Sequence, residues 1–148
     1  MRLGDLLRLS WSHVGEDAIT ISTGKSKHKR QAIIPLYDEL RQLLARIPRR
    51  ATTILTNSKR RPWRANGFGT AFNRAKIAAD MNERDLHFHD LRGTAVTRFY
   101  VAGLPVRVIA EIMAWEEEHV DRIIRRYVDR TAATRAVIAQ LNTAKKGT

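Results

Sequence analysis

No cysteine occurs among the 148 residues. That excludes disulfides and thiolate zinc sites, and it fits a reducing compartment. No apolar run approaches the ~18 residues of a membrane span, and no signal peptide opens the chain. A soluble, cytoplasmic protein is therefore expected. There is no internal repeat and no low-complexity tract, only a short polar tail, TAKKGT. Acidic residues are scarce: 15 Asp and Glu face 27 Lys and Arg, leaving a net charge of +12 and a pI near 11.0. Such an excess attracts polyanions, of which nucleic acid is the commonest. A hydrophobic fraction of 43% is too high for intrinsic disorder at this charge, and the length suffices for one domain with a real core.

Periodicity supplies the elements. MRLGDLLRLSW reads as a helix from its second residue, with Leu3, Leu6 and Leu7 on one face. Strands are predicted over Ala18–Ser22 and Gln31–Pro35, around a turn rich in Gly, Ser and Lys, and a third over TTILTN. YDELRQLLARI is an amphipathic helix, and a further helix through FGTAFNRAKIAADM follows the basic loop SKRRPWRANG. A helix starting near Asp90 should stop at Gly103, and Pro105 suits the first turn of the next, PVRVIAEIMA. EEEHVDRIIRRYVDR carries its acids where the helix dipole favours them, and TAATRAVIAQLN closes the fold. The expected class is α+β: mostly helical, with a small three-stranded antiparallel sheet.

Within LHFHDLRGTAVTRFY, His89 lies three residues before Arg92, so on a helix both could touch one ligand. His87, His89 and Asp90 are suitable metal donors, but no second cluster supplies the remaining ligands, and no metal is expected. Val120, Ile123, Ile124 and Tyr127 fall at i, i+3, i+4 and i+7, a spacing that by itself makes Tyr127 a core residue. RGTAVTRFYVAGLPVRVIAEIM has the form helix, Gly-containing turn, helix, which suits a DNA-binding module without catalysis.

Taken in order, an R-x-x-D-L-L helix, a strand–Lys turn–strand ending in Pro-Leu, an H-D-L-R-x-T helix, Trp115 and an R-Y segment twelve residues on resemble the tyrosine recombinase (phage integrase) family. The resemblance covers nearly all of residues 1–148 and implies a DNA breaking-rejoining catalytic domain. It implies Arg2 and Arg92 as the catalytic arginines, Asp5 as the acid supporting Arg2, and Lys25 as the turn lysine, with Lys27 as rival. His89 pairs with Arg92, Trp115 takes the second His/Trp position, and Tyr127 is the nucleophile. It also implies an N-terminal DNA-clamping domain and one more helix, which this sequence does not contain ahead of Arg2.

Two guanidiniums can stabilise charge developing on nonbridging phosphate oxygens. His89 and the Trp115 indole N–H can donate further bonds, and His89 can also accept the tyrosine proton. A turn lysine can protonate the leaving 5′ oxygen. The implied reaction, cleavage and rejoining of DNA through a 3′-phosphotyrosine in site-specific recombination or integration of mobile DNA, needs no cofactor. Double-stranded DNA is the expected partner, contacted also by Lys59, Arg60, Arg61, Trp63 and Arg64. Self-assembly into a tetramer on DNA through the C-terminal helix and a nucleoid-associated location are expected as well. The alternatives are a type IB topoisomerase, a truncated inactive DNA-binding remnant, and the helix-turn-helix-like module.

Overall fold

The computed structural model describes residues 1–24 and 30–146. The chain opens on a short helix, α1 (Leu3–Leu7), and continues through a 3-10 turn at Trp11–His13 into a hairpin of β1 (Ala18–Ser22) and β2 (Gln31–Pro35). Then come α2 (Asp38–Arg46), α3 (Ala65–Ala78), α4 (Asp90–Val101), α5 (Val106–Met113), α6 (Glu117–Tyr127) and α7 (Arg130–Lys146). The hairpin pairs antiparallel, with Ala18 opposite Pro35, Thr20 opposite Ile33 and Ser22 opposite Gln31. Alternation puts Ile19, Ile21 and Ala32 on the buried face, as a pleated strand covered on one side requires.

Among the described residues the sheet has two strands, which corrects the expected third. Residues 52–57 form only isolated bridges, Ser10 to Thr53 and Thr56 to Pro62. Their backbone bonds go elsewhere than to the hairpin: Trp11 N–H donates to Thr52 O at 3.1 Å, and Ile54 N–H to Leu9 O at 2.8 Å. The partner segment leaves extended geometry at once in the 3-10 turn, so the pairing cannot lengthen into a ladder. Ile54 is nonetheless buried, so the apolar pattern identified a core residue in the wrong element.

Two apolar clusters hold the domain. One joins Leu9, Ile19, Ile21, Ala32, Leu36 and Ile54 around the hairpin. The other joins Val96 of α4, Ile109, Ala110 and Met113 of α5, and Val120 of α6. Helix α5 packs on β2 and against α4 and α6, which is why it is apolar on more than one side. Full burial of Val96, Ile109 and Val120 stabilises by about 1.5–3 kcal/mol each. Gly103 ends α4 at φ +87°, a left-handed conformation that favours glycine, and a Cβ there would also displace the end of the Gln140 side chain of α7. No helix among the described residues is long and apolar enough to cross a membrane.

Candidate active site

Arg92 lies in the first turn of α4, and the loop that delivers it is tied down from several sides. Asp90 accepts the His87 N–H at 2.7 Å, and Arg92 N–H donates to His89 O at 3.0 Å. Phe88, just ahead of His89, packs edge-on against Phe68 and Phe72 of α3, with ring centroids 5.0 and 5.6 Å away. Lys76 of α3 donates its Nζ protons to the carbonyls of Arg84 (3.1 Å) and Leu86 (3.0 Å). Lys76 was not singled out in the sequence, where it is one cation among many. Lys76→Met should lower stability by about 1–2 kcal/mol, since two carbonyls lose a charged donor. An unchanged urea midpoint would show that water serves them as well.

Trp115 reaches Arg92 through a backbone device. Ala114 ends α5 in left-handed conformation (φ 53°, ψ 47°), an arrangement that costs a non-glycine residue roughly 1 kcal/mol. The turn sends Trp115 N–H back to Ala110 O at 2.9 Å and lays the indole against α4. The Arg92 guanidinium then stands 4.5 Å from the Trp115 ring centre, in cation–π contact. Burial and the neighbouring Arg2 charge press the Arg92 pKa below its ordinary value, with Asp5 offsetting part of this. Its Nε is buried and has no hydrogen-bond partner among the described residues. A buried guanidinium N–H without an acceptor carries a desolvation cost.

His89, Arg92, Trp115 and Tyr127 line one cleft of about 490 Å³, together with Asp90, Thr94, Thr97 and His119. His89 is exposed on its rim, its Nε2 3.3 Å from Asp90 Oδ1. Tyr127 is 57% exposed at the end of α6, with Arg126 over its ring at 5.2 Å. The core position suggested by periodicity alone is therefore excluded: the ring lies on the cleft side of the stripe, beyond the buried Val120.

On the other side of Arg92 a small cavity is lined by Arg2, Asp5, Thr23, Arg92 and Trp115. Arg2 thus approaches Arg92, as two residues sharing one anion must. Asp5 departs from expectation, because its ion pair is with Arg8 (2.8 Å) rather than with the Arg2 guanidinium. It also accepts the Gly24 N–H at 3.0 Å and draws on the Arg2 backbone amide. Burial alone would raise the Asp5 pKa, but these donors, Arg8 foremost, hold it below the usual carboxylate value. Arg2 and Arg8 flank α1 at three residues on either side of Asp5, so spacing does not choose between them and the folded geometry selects Arg8.

Lys25 and Lys27 lie outside the described residues. On either side of them, Thr23 N–H bonds Arg30 O at 2.8 Å, and Arg30 forms an ion pair with Glu116, next to Trp115. Lys59, Arg60, Arg61 and Arg64 are exposed, with Arg60 in left-handed conformation at φ 61°. Trp63 packs edge-on against Phe68 at 5.8 Å, so the basic loop rests on the aromatic cluster that also supports Phe88. Among the described residues no group of three or more His, Asp or Glu gathers into a metal-sized cluster.

One cleft residue escaped the sequence reading. His119 packs edge-on against Trp115, with centroids 4.4 Å apart, on the cleft wall. Its only signal in the sequence is that it lies four and eight residues before Ile123 and Tyr127, on their helical stripe.

Comparison with known proteins bears directly on this arrangement. Residues 1–133 match the model of the phage integrase family. The chain is 32% identical over 114 residues to the Shufflon-specific DNA recombinase of Escherichia coli, covering 76% of this chain and 28% of that protein. It therefore spans little more than a quarter of that relative's length. Its fold is similar to that of the XerA recombinase, with a TM-score of 0.65 at 18% identity, over 94% of this chain and 52% of that one. It is also similar to the Tn1549 transposon integrase in complex with transposon right end DNA, with a TM-score of 0.62 at 16% identity, over 96% and 55% of the two chains.

Proposed function

Because the chain belongs to the phage integrase family of tyrosine recombinases, we propose that its cleft cleaves and rejoins double-stranded DNA through a 3′-phosphotyrosine on Tyr127. The observation that carries this reading is the convergence of Arg92, His89, Trp115 and Tyr127 on one cleft, with Arg2 approaching Arg92 from behind. Arg2 and Arg92 bind the nonbridging oxygens of the scissile phosphate, and their fixed charges stabilise the pentacoordinate transition state. The Trp115 indole N–H donates a further bond, and His89 accepts the phenolic proton as the Tyr127 oxygen attacks phosphorus. The bond to the 5′ oxygen breaks, and Lys25 or Lys27 supplies that oxygen's proton. The phosphotyrosine retains the energy of the broken bond, so a 5′ hydroxyl from another strand can reverse the step without ATP. Metal is not needed in this scheme, because the cations are side chains.

The same reading assigns Lys59, Arg60, Arg61 and Arg64 to the DNA backbone, with Trp63 anchoring their loop. It assigns α7 to contacts between copies on DNA, supported by the exposed Val137, Ile138 and Leu141. The clamp domain implied by the family would close over the far side of the duplex.

A duplex nicked beside the cleavage site tests the proposal, because loss of the short 5′-hydroxyl fragment traps the covalent adduct. An adduct resistant to denaturant and sensitive to protease is expected. A chain that folds and binds duplex, alone and joined to a family clamp domain, yet traps no adduct at any candidate site, counts against it.

Binding itself should depend steeply on salt. If about 6 phosphates are neutralised, the slope of log K against log salt will be near −5. A flat titration would remove the basic surface from the binding face.

A further inference from the structure

His119 is half-exposed in the first turn of α6 and takes no part in the proposed chemistry, yet it packs on the indole that Arg92 also contacts. Arg92 stands 4.5 Å from the Trp115 ring, and the His119 ring meets the same indole edge-to-face at 4.4 Å and an interplanar angle of 76°. The three side chains come from α4, from the turn after α5 and from α6, and all face the cleft. Tyr127 lies eight residues further along the His119 helix, roughly 12 Å at 1.5 Å per residue. His119 is therefore placed to act on the indole rather than on the phenol.

We propose that His119, as a neutral imidazole, is a positioning residue that holds the Trp115 indole against the Arg92 guanidinium, and that its protonation loosens this stack. The inference rests on reading the cleft as a phosphate site. The charges around His119 make the neutral form the working one. Arg122 on its own helix and Arg92 on α4 are both cations beside it, and with burial they lower its pKa below the ordinary histidine value, burial contributing most. Asp90 and His89 line the cleft on the α4 side, where Asp90 is engaged by His89 and by the His87 N–H. Glu116 accepts the His119 N–H through its backbone carbonyl, while its carboxylate is paired with Arg30. An imidazolium at this point would be a second cation against the same indole and would repel the Arg92 guanidinium. Displacing it would withdraw the guanidinium from the phosphate.

Trp115 emission, isolated as the difference between the chain and its Trp115→Phe variant, reads the contact directly, because an imidazolium quenches an adjacent indole. Emission should fall on acidification with a midpoint below about 6.5, the ordinary histidine value. His119→Phe, which keeps an aromatic edge without a proton, should abolish that titration. A flat profile in the parent chain, or one unchanged in His119→Phe, would overturn the proposal.

The second readout is adduct formation on the nicked duplex at neutral pH. His119→Phe should stay within about threefold of the parent, while His119→Lys, a permanent cation, should form adduct about tenfold more slowly with duplex affinity undiminished. Parent-like adduct formation in His119→Lys would also overturn it. If emission titrates through His119 and the parent chain forms no adduct, alone or joined to a family clamp domain, the contact stands and the recombinase reading of the cleft falls.

Discussion

Tyr127→Phe should eliminate the covalent protein–DNA adduct while leaving the fold and duplex affinity almost intact. The variant removes one oxygen and keeps the ring. Because the side chain is 57% exposed and its hydroxyl has no hydrogen-bond partner among the described residues, stability should change by no more than about 0.5 kcal/mol. Duplex affinity depends on many phosphate contacts, of which one hydroxyl can contribute about 1 kcal/mol at most. Covalent chemistry has no such redundancy. Without the phenolic oxygen no phosphotyrosine can form, and loss of a nucleophile costs on the order of 10⁴-fold or more. Trapping on the nicked duplex, resolved under denaturing conditions, measures this. An adduct that persists in Tyr127→Phe would place the nucleophile elsewhere, with Tyr100 and Tyr37 the remaining tyrosines.

Arg92→Ala should produce a second large loss, of a different kind. Removing one donor to a developing oxyanion costs about 10²–10³ in rate. It should also weaken binding uniformly across sequences and reduce the salt slope by about 1, because a phosphate contact disappears. The fold should tolerate the change. Arg92 is partly buried, carries a buried Nε without a partner among the described residues, and is repelled by Arg2. Its loss relieves those costs while forfeiting the stack on Trp115. Arg92→Lys should remain impaired despite keeping its charge, because an ammonium cannot bond two phosphate oxygens with the geometry of a planar fork. Adduct yield in Arg92→Ala equal to that of the parent would remove Arg92 from the phosphate site. Reduced yield with an unchanged salt slope would assign it to orientation of Trp115 instead of to the phosphate.

Local patterns accounted for most of the elements. Ile19 and Ile21 alternate with polar neighbours, and β1 and β2 occupy the predicted residues because the two-residue period of a strand is visible in a single chain. Gly103 ends α4 because left-handed backbone favours glycine wherever it occurs. The third strand failed for the opposite reason. Whether an extended segment becomes a strand depends on a partner that stays extended beside it, and residues 9–11 turn away. Asp5 shows the same limit at a single side chain: several arginines lie near it in sequence, and only the folded geometry selects Arg8.

What the sequence alone determined was the set of candidate groups, because residue type and order suffice to name two arginines, a histidine, an indole and a phenol in family sequence. The basic surface was equally legible, since charge is a property of composition. Tertiary structure decided the relations among those groups. It exposed Tyr127 where helical periodicity alone would have buried it, set Trp115 on Arg92 through the left-handed Ala114, and brought His119 against the same indole. It also recruited Lys76 to hold the loop that carries His89. Each of these rests on contact between residues from different elements. Such contacts are chosen by packing around Val96, Ile109 and Val120 and leave no period in the sequence between them.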